Sequence, residues 1–371
     1  MKLKNSVSLE KLTQRRYPRT EDIRGPFFRD VTAIIHSYPY RRLKHKTQVF
    51  FAPQNDHICT RIEHVMHVAT ISVTICKALG LDSDLAWAIS VGHDLGHTPF
   101  GHTGESIISK KLEKLGGFCH EMNSLRVVDH LVDNGEGKRK GLNLTFAVRD
   151  GIVNHGGEKF EQFLIPSDTP CEPENIKSRS FLPCTWEGIA VRTADKIAYL
   201  GRDLEDAIRL GMLRKNDIPE NVRRNLGMDN SGMINTMVYD VVGNARNIGR
   251  MGFSDRVYEA LKVLKKFNYE NIYHSSRFEN YHKQIELHLG VLWDYFSEVF
   301  DKYGFSYGEY EREDNNLALE FAHYLEKMEE FYKSENEPLL IVSDYIAGMT
   351  DKYAIDSATE LISPRRFNAN N

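Results

Sequence analysis

Apolar side chains recur at helical intervals along most of the chain. From Arg61 to Leu79 they stand three and four residues apart, at Ile62, Val65, Ala69, Val73 and Cys76, and Gly80 follows. Residues at these spacings share one face of a helix, so the pattern predicts an amphipathic helix that ends at the glycine. A second helix is predicted from Asp82 to Leu95, with Asp82 or Ser83 as its N-cap.

The same periodicity predicts helices at 124–132, 144–153 and 189–213, and further helices to about Ala354. No alternating strand pattern of any length and no internal repeat interrupts them, so the predicted fold class is mainly α. We expect a basic N-terminal arm at 1–25, one helical domain at 26–356 and a tail at 357–371. Within the domain, 60–212 would form the core and 232–356 a C-terminal helical part. Residues 156–187 carry four prolines among polar residues and predict a long connection, either a lid or an insertion.

The composition is typical of a soluble globular protein and does not indicate a particular function. The 371 residues are 41% hydrophobic and 27% charged, as in soluble globular proteins. The net charge of -4 offers no general attraction for nucleic acid, although local basic patches leave that question open. The N-terminus has no apolar run, and the five cysteines form no CxxC pair. We therefore expect a cytoplasmic protein without a membrane span.

The stretch Val91 to Glu105, VGHDLGHTPFGHTGE, holds three histidines, an aspartate and a glutamate. The adjacent His93 and Asp94 offer an imidazole and a carboxylate, a mixture that suits Mn, Fe, Mg or Zn. Two adjacent residues cannot complete a coordination sphere. His64 and Asp195, each on a predicted helix, would extend the pair to the order H…HD…D.

Each added residue also has an ordinary structural interpretation. A lone histidine such as His64 is more often a core residue than a ligand. Asp195 begins a polar stripe with Tyr199, Arg202, Asp203 and Asp206, which is typical of a solvated helix face. Tyr199 within that stripe, with alanines beside it, favours a packed surface instead.

Several further segments accompany this quartet in order. They are FRD, IIHSYPYRRLKHKTQVF, R-x-x-H at Arg61 to His64, HDLGHTPFGHTGE, GGFCHEMNSLR, GLNLT, DKIAY, KKFNYENIY and DYIAGMTDKYA. Together they span Phe28 to Ala354, and this ordered set resembles the HD-domain deoxynucleoside triphosphate (dNTP) triphosphohydrolases. This dGTPase-like family is related to the vertebrate SAM-HD dNTPase. The resemblance implies an HD-domain helical fold with additional C-terminal helices.

The resemblance also implies roles for individual residues. The family's metal ligands match His64, His93, Asp94 and Asp195. Its catalytic histidine and acid match His102 and Glu105, where the sequence leaves open whether His102 is the acid or the base. Its phosphate-facing residues match His97, His120, Arg61 and Lys196. Its deoxyribose contacts match Gln48, Tyr199 and Asp203.

The implied reaction is hydrolysis of a dNTP at the α-phosphorus, which releases a deoxynucleoside and tripolyphosphate. The implied cofactor is a divalent metal, Mn or Mg first, with Fe, Co, Ni or Zn also open. A dNTP or other nucleotide activator and a homo-oligomer, hexamer or tetramer, are expected by resemblance, with 1–25 and 295–314 near subunit contacts. Lys196 after the metal-binding aspartate and the tract Leu200-Gly201-Arg202 depart from many bacterial members, so the preferred dNTP stays open.

Two alternatives remain at this stage. An HD phosphohydrolase could act on another nucleotide: a cyclic nucleotide, a monophosphate or an alarmone. Gln48, Tyr199 and Asp203 argue against it, because they match deoxyribose contacts. A non-hydrolytic nucleotide sensor is the other alternative, and the complete His102 and Glu105 pair argues against that.

Overall fold

The computed structural model describes residues 2–51, 55–132, 141–156 and 161–363. Within these ranges the chain forms sixteen α-helices: α1 (Leu9–Thr13), α2 (Gly25–Ile35), α3 (Tyr38–Arg42), α4 (Arg61–Leu79), α5 (Ser83–Gly92), α6 (Gly101–Lys111), α7 (His120–Arg126), α8 (Phe146–Val153), α9 (Trp186–Arg209), α10 (Glu220–Asn225), α11 (Asn230–Ile248), α12 (Asp255–Asn268), α13 (Glu279–Tyr303), α14 (Asn316–Glu335), α15 (Pro338–Ala347) and α16 (Asp351–Ile362). Strands β1 (Phe163–Leu164) and β2 (Met251–Gly252) pair antiparallel, with Phe163 opposite Gly252. The prediction of a mainly α fold is confirmed.

The helices fall into two compact units. The first unit comprises Met1–Gly96 and His120–Ser276, and the second comprises His97–Cys119 and Arg277–Asn371. The second unit therefore takes a short segment from the middle of the chain, which contains α6, and joins it to α13 through α16. Each unit is described by itself below.

Helices α4, α5 and α9 pack against one another in the middle of the first unit. Helix α4 begins at a capping box, in which the Thr60 backbone N–H donates to Glu63 Oε2 at 2.7 Å, and it ends at Gly80 with φ +70°. A left-handed residue at this position favours glycine. The predicted bounds of this helix, Arg61 to Leu79, are confirmed.

Helix α5 ends earlier than the sequence predicted. Its last residue is Gly92 rather than Leu95, and the next four residues form a turn. A Cβ on Gly96 would lie 2.1 Å from the backbone nitrogen of Ser124. The backbones therefore cross at this point, and Ser124 Oγ bridges them by accepting from Gly96 N at 2.9 Å and donating to His93 O at 2.6 Å.

Residues of the predicted N-terminal arm pack within the first unit. Leu3 and Leu12 are buried. The Arg15 guanidinium donates to Asp30 Oδ1 at 2.6 Å and to the carbonyl oxygen of Asn143 at 2.8 Å. This buried charge pair ties the arm to α2 and to the residues just before α8.

The second unit has an aromatic core around Phe296, Phe321 and Tyr345, with ring centroids 4.9 to 5.0 Å apart. The loop before α6 is fastened to α16 within this unit. The Phe100 backbone N–H donates to Asp351 Oδ1 at 2.9 Å, and Phe100 itself has φ +61°.

One described helix, α4, is long and apolar enough by composition to cross a membrane. It is also the central packed helix of the first unit, with α5, α9 and α11 against it. Core helices of soluble proteins pass the same test, so its composition agrees with its place in the core.

Candidate active site

The four predicted metal ligands meet inside the first unit. His64 lies on α4, His93 and Asp94 follow α5, and Asp195 lies on α9. His64, His93 and Asp94 each offer one ligand atom, and these atoms lie within 4.8 Å of one another. Asp195 Oδ1 lies 3.0 Å from His64 Nε2. The packing of α4, α5 and α9 therefore gathers residues that are up to 131 positions apart in the chain.

His64 and Asp195 each shift the pKa of the other. Burial acts to lower the pKa of His64, but the hydrogen bond and the charge of Asp195 outweigh it and raise that pKa above its usual value. Burial acts to raise the pKa of Asp195, yet the same contact with His64 lowers it to about 2. Asp195 is therefore anionic at neutral pH, and a cation could take the place of the proton on His64.

The orientation of His93 fits metal binding. Its Nδ1 lies 2.6 Å from the carbonyl oxygen of Ser90, so Nδ1 carries the hydrogen. Its Nε2 is buried and has no hydrogen-bond partner among the described residues. A buried nitrogen lone pair without a partner is costly unless something binds it. The residues present therefore fit a divalent metal.

Arg61 lies beside the predicted metal ligands. It is buried, and its Nη1 donates to Asp94 Oδ2 at 2.7 Å. Its Nε and Nη2 are buried and have no hydrogen-bond partner within the described ranges. Two unused donors of a buried cation suit an anionic oxygen, since guanidinium groups bind phosphates in two-point fashion.

The predicted sugar residues and the predicted phosphate residue Lys196 also belong to the first unit. Lys196 and Tyr199 are half-buried on α9, and burial together with the charge of Arg192 lowers the pKa of Lys196 to about 8. Asp203 accepts a hydrogen bond from Tyr273 Oη at 2.5 Å, and burial raises the pKa of its carboxyl to about 7. Gln48 Oε1 is buried and accepts no hydrogen bond in the described part of the chain.

His97, His102 and Glu105 lie in the second unit. His102 stands in the first turn of α6, and its Nδ1 lies 3.0 Å from Glu105 Oε2. Its ring is 5.3 Å from that of His97, edge to face. The predicted pair of histidine and acid is therefore formed, and the carboxylate fixes the orientation of the imidazole.

Two residues of the first unit were missed by the sequence reasoning. His155, just after α8, is buried with its ring 4.7 Å from His93 and 5.4 Å from His120, which was predicted. Burial, together with the charge of His93, lowers the pKa of His155 to about 4. The second residue that the sequence did not predict is Tyr273, whose hydroxyl donates to Asp203.

Comparisons with known proteins agree with this geometry. Residues 61–161 match the HD domain, and residues 251–360 match the phosphohydrolase-associated domain. A deoxyguanosinetriphosphate triphosphohydrolase-like protein of Caldanaerobacter subterraneus subsp. tengcongensis is 39% identical over 345 residues, which is 92% of this chain and 86% of that protein. A protein with the same name from Desulfatibacillum aliphaticivorans is 36% identical over 92% of this chain and 89% of its own length. Another from Clostridium perfringens is 35% identical over 96% of this chain and 92% of its own length.

The chain belongs to the dGTPase-like family of HD-domain proteins. The resemblance seen in the sequence is thereby confirmed. Membership supports a phosphohydrolase and implies a divalent metal. The HD match contains His64, His93 and Asp94 but ends before Asp195, which the structure places 3.0 Å from His64.

Proposed function

We propose that this protein hydrolyses deoxynucleoside triphosphates to deoxynucleosides and tripolyphosphate, with a divalent metal. The observation that carries the proposal is Arg61. Its guanidinium binds Asp94 and has two buried donors that none of the described residues binds, so an anion-binding group and the predicted metal ligands share one carboxylate. The names of the relatives point to the same class of substrate.

The roles follow from chemistry and from the family resemblance. A divalent ion held by His64, His93, Asp94 and Asp195 would supply Lewis-acid stabilisation and a more acidic water. Arg61 would donate Nε and Nη2 to phosphate oxygens, and Lys196 would add a second positive charge. His102 would move a proton through Nε2 while Glu105 holds its Nδ1. Gln48, Tyr199 and Asp203 would bind the deoxyribose.

The bond that breaks can be tested with labelled water. Water attack at the α-phosphorus breaks the bond from phosphorus to O5′, so the incoming oxygen ends on tripolyphosphate. Purified protein is incubated with each dNTP and Mn²⁺ or Mg²⁺ in H₂¹⁸O, the products are separated, and their masses are measured by mass spectrometry. We expect labelled tripolyphosphate and unlabelled deoxynucleoside. Monophosphate with pyrophosphate as products would contradict the proposal. Ribonucleoside triphosphates are the matched control substrates, because they differ from dNTPs only at the sugar.

We also propose a homo-oligomer with a nucleotide activator, by resemblance to the family. Light scattering with and without a dNTP tests it. A mass equal to one chain under both conditions would contradict this part of the proposal and leave the reaction untouched.

A further inference from the structure

An unusual helical turn carries Tyr273 to the predicted sugar residues of α9. Residues Tyr269–Tyr273 follow α12 as a π-helical turn, in which the His274 backbone N–H donates to Tyr269 O at 3.0 Å. Such turns are rare, and they occur frequently at functional sites. Because the turn contains one residue more than an α-helical turn, Tyr273 leaves the helix in a direction that a continued α12 would not give it.

Two hydrogen bonds fasten this turn to α9. Asn268 is the buried last residue of α12, and its Nδ2 donates to Leu200 O at 2.9 Å. At the other end of the turn, Tyr273 Oη donates to Asp203 Oδ2 at 2.5 Å. The two acceptors lie three residues apart on α9, so both ends of the turn are tied to the same stretch of that helix.

The bond from Tyr273 occupies one of the two oxygens of the Asp203 carboxyl. Asp203 is only 2% exposed, so little water is at hand to replace this donor. A buried acceptor that loses its partner costs free energy, and the carboxyl is therefore held in one rotation. Asp203 also shares a face of α9 with Tyr199 and Asp195, four and eight residues earlier. A carboxyl fixed at Oδ2 presents Oδ1 in a single direction.

We propose that Tyr273 is a positioning residue through which the protein selects sugars that carry a 3′-hydroxyl. Its hydroxyl holds Asp203 at Oδ2 and so keeps Oδ1 for the 3′-hydroxyl of the substrate. Tyr273 acts through Asp203 and does not itself bind the sugar. The inference rests on the proposed function, in which Asp203 binds the deoxyribose.

Equilibrium binding tests the inference without any turnover. The probes are deoxy- and 2′,3′-dideoxynucleoside triphosphates in which CH₂ replaces O5′, so that the bond broken in the proposed reaction is absent. Calorimetry with Mg²⁺ gives the Kd of both analogues for each base. We expect the natural protein to bind the 3′-hydroxyl analogue about 10- to 100-fold more tightly. In Tyr273→Phe this ratio should fall about 10-fold, with the dideoxy analogue bound as before.

Tyr269→Phe is the matched control. Tyr269 lies in the same turn, is 53% exposed, and has its ring 6.0 Å from that of Tyr273, so loss of its hydroxyl should leave the ratio unchanged. A Tyr273→Phe variant that binds both analogues more weakly, with the ratio of the natural protein, would have a structural role only and would overturn the inference. Equal binding of the two analogues by the natural protein would overturn it without any variant.

A second pair of variants tests whether Tyr273 acts through Asp203. In Asp203→Ala the two analogues should bind alike, and adding Tyr273→Phe should change their ratio no further. A further loss in the double variant would mean that Tyr273 contacts the sugar itself, against the positioning role. A natural protein that prefers the 3′-hydroxyl analogue but hydrolyses no dNTP would refute the proposed function and leave this inference standing.

Discussion

A substitution of the single residue Arg61 tests its proposed role in binding phosphate. Arg61→Lys keeps the positive charge but places all its donors on one nitrogen, so it loses the planar arrangement in which Nη1 binds Asp94 while Nε and Nη2 face a phosphate. Hydrogen bonds to charged groups contribute about 1.5–3 kcal/mol, so we expect kcat/KM for dNTP hydrolysis to fall about 10- to 100-fold. Steady-state kinetics measure this.

Arg209→Lys is the control for that substitution. Arg209 is an exposed residue at the end of α9 that pairs with Glu205 at 3.4 Å, so its replacement should leave kcat/KM unchanged. Equal kinetics for Arg61→Lys and the natural protein would show that the buried guanidinium does not contact the substrate.

Asp203 should make stability depend on pH. Burial raises the pKa of its carboxyl from 3.8 to about 7 in the folded protein. The folded state therefore holds a proton that the unfolded chain releases near pH 3.8. The stability from this neutral carboxyl is fully present below pH 3.8 and is lost as pH rises to about 7, by at most about 4 kcal/mol.

Asp203→Asn removes the titrating group and keeps an oxygen that can accept from Tyr273. Urea unfolding of both proteins from pH 4.5 to 8 should show the variant gaining stability relative to the natural protein as pH rises. The difference between the two cancels the other titrating groups. A constant difference across this range would mean that Asp203 stays ionised when folded.

At the level of single residues, the sequence predicted the quartet because His93 and Asp94 are adjacent and the surrounding segments match a family, and the structure brings these four residues together. His155 was missed because it stands outside those segments. A signal did exist: His93 and His155 each follow the end of a buried helix, three residues after the carbonyl that orients them. Nothing in the sequence alone shows that these two helix ends meet.

Among the elements, α16 holds the loop that leads into α6. Asp351→Ala leaves the buried Phe100 N–H without its acceptor, and losing such a partner costs about 1–3 kcal/mol. We expect the free energy of unfolding to fall by that amount in urea titrations. Activity should fall as well if the proposed role of His102 is right, because this loop sets the start of its helix.

The control lies on the same helix. Asp356 is exposed and pairs with Lys352 at 2.7 Å, and exposed pairs contribute little. Asp356→Ala should change stability by less than about 0.5 kcal/mol. Equal losses in the two variants would indicate that helix charge, and not the bond to Phe100, explains the effect.

Helix periodicity predicted α4 to the residue, since a capping box begins it and a left-handed glycine ends it. It placed the end of α5 three residues too late. Leu95 continues the apolar pattern, whereas the turn that ends the helix depends on α7 crossing at Gly96. Local spacing carries no information about such a crossing.

In the whole molecule, the division into two units was not visible in the sequence. Residues 97–119 are flanked on both sides by the first unit, yet they cluster with 277–371. Apolar spacing predicts which faces are buried but not which helices bury them. The expected helical domain at 26–356 stays a prediction.

Metal binding should stabilise the molecule as a whole. An ion that binds only the folded state adds about 2.7 kcal/mol at one hundred times its Kd. The predicted ligands come from α4, α9 and the turn after α5, so the unfolded chain holds no such site. We expect Mn²⁺ to raise the Tm of chelator-treated protein and excess chelator to reverse the rise. Asp195→Ala should keep its fold but show a much smaller rise. An unchanged Tm in the natural protein at millimolar Mn²⁺ would contradict metal binding by these residues, whatever the nucleotide assays show.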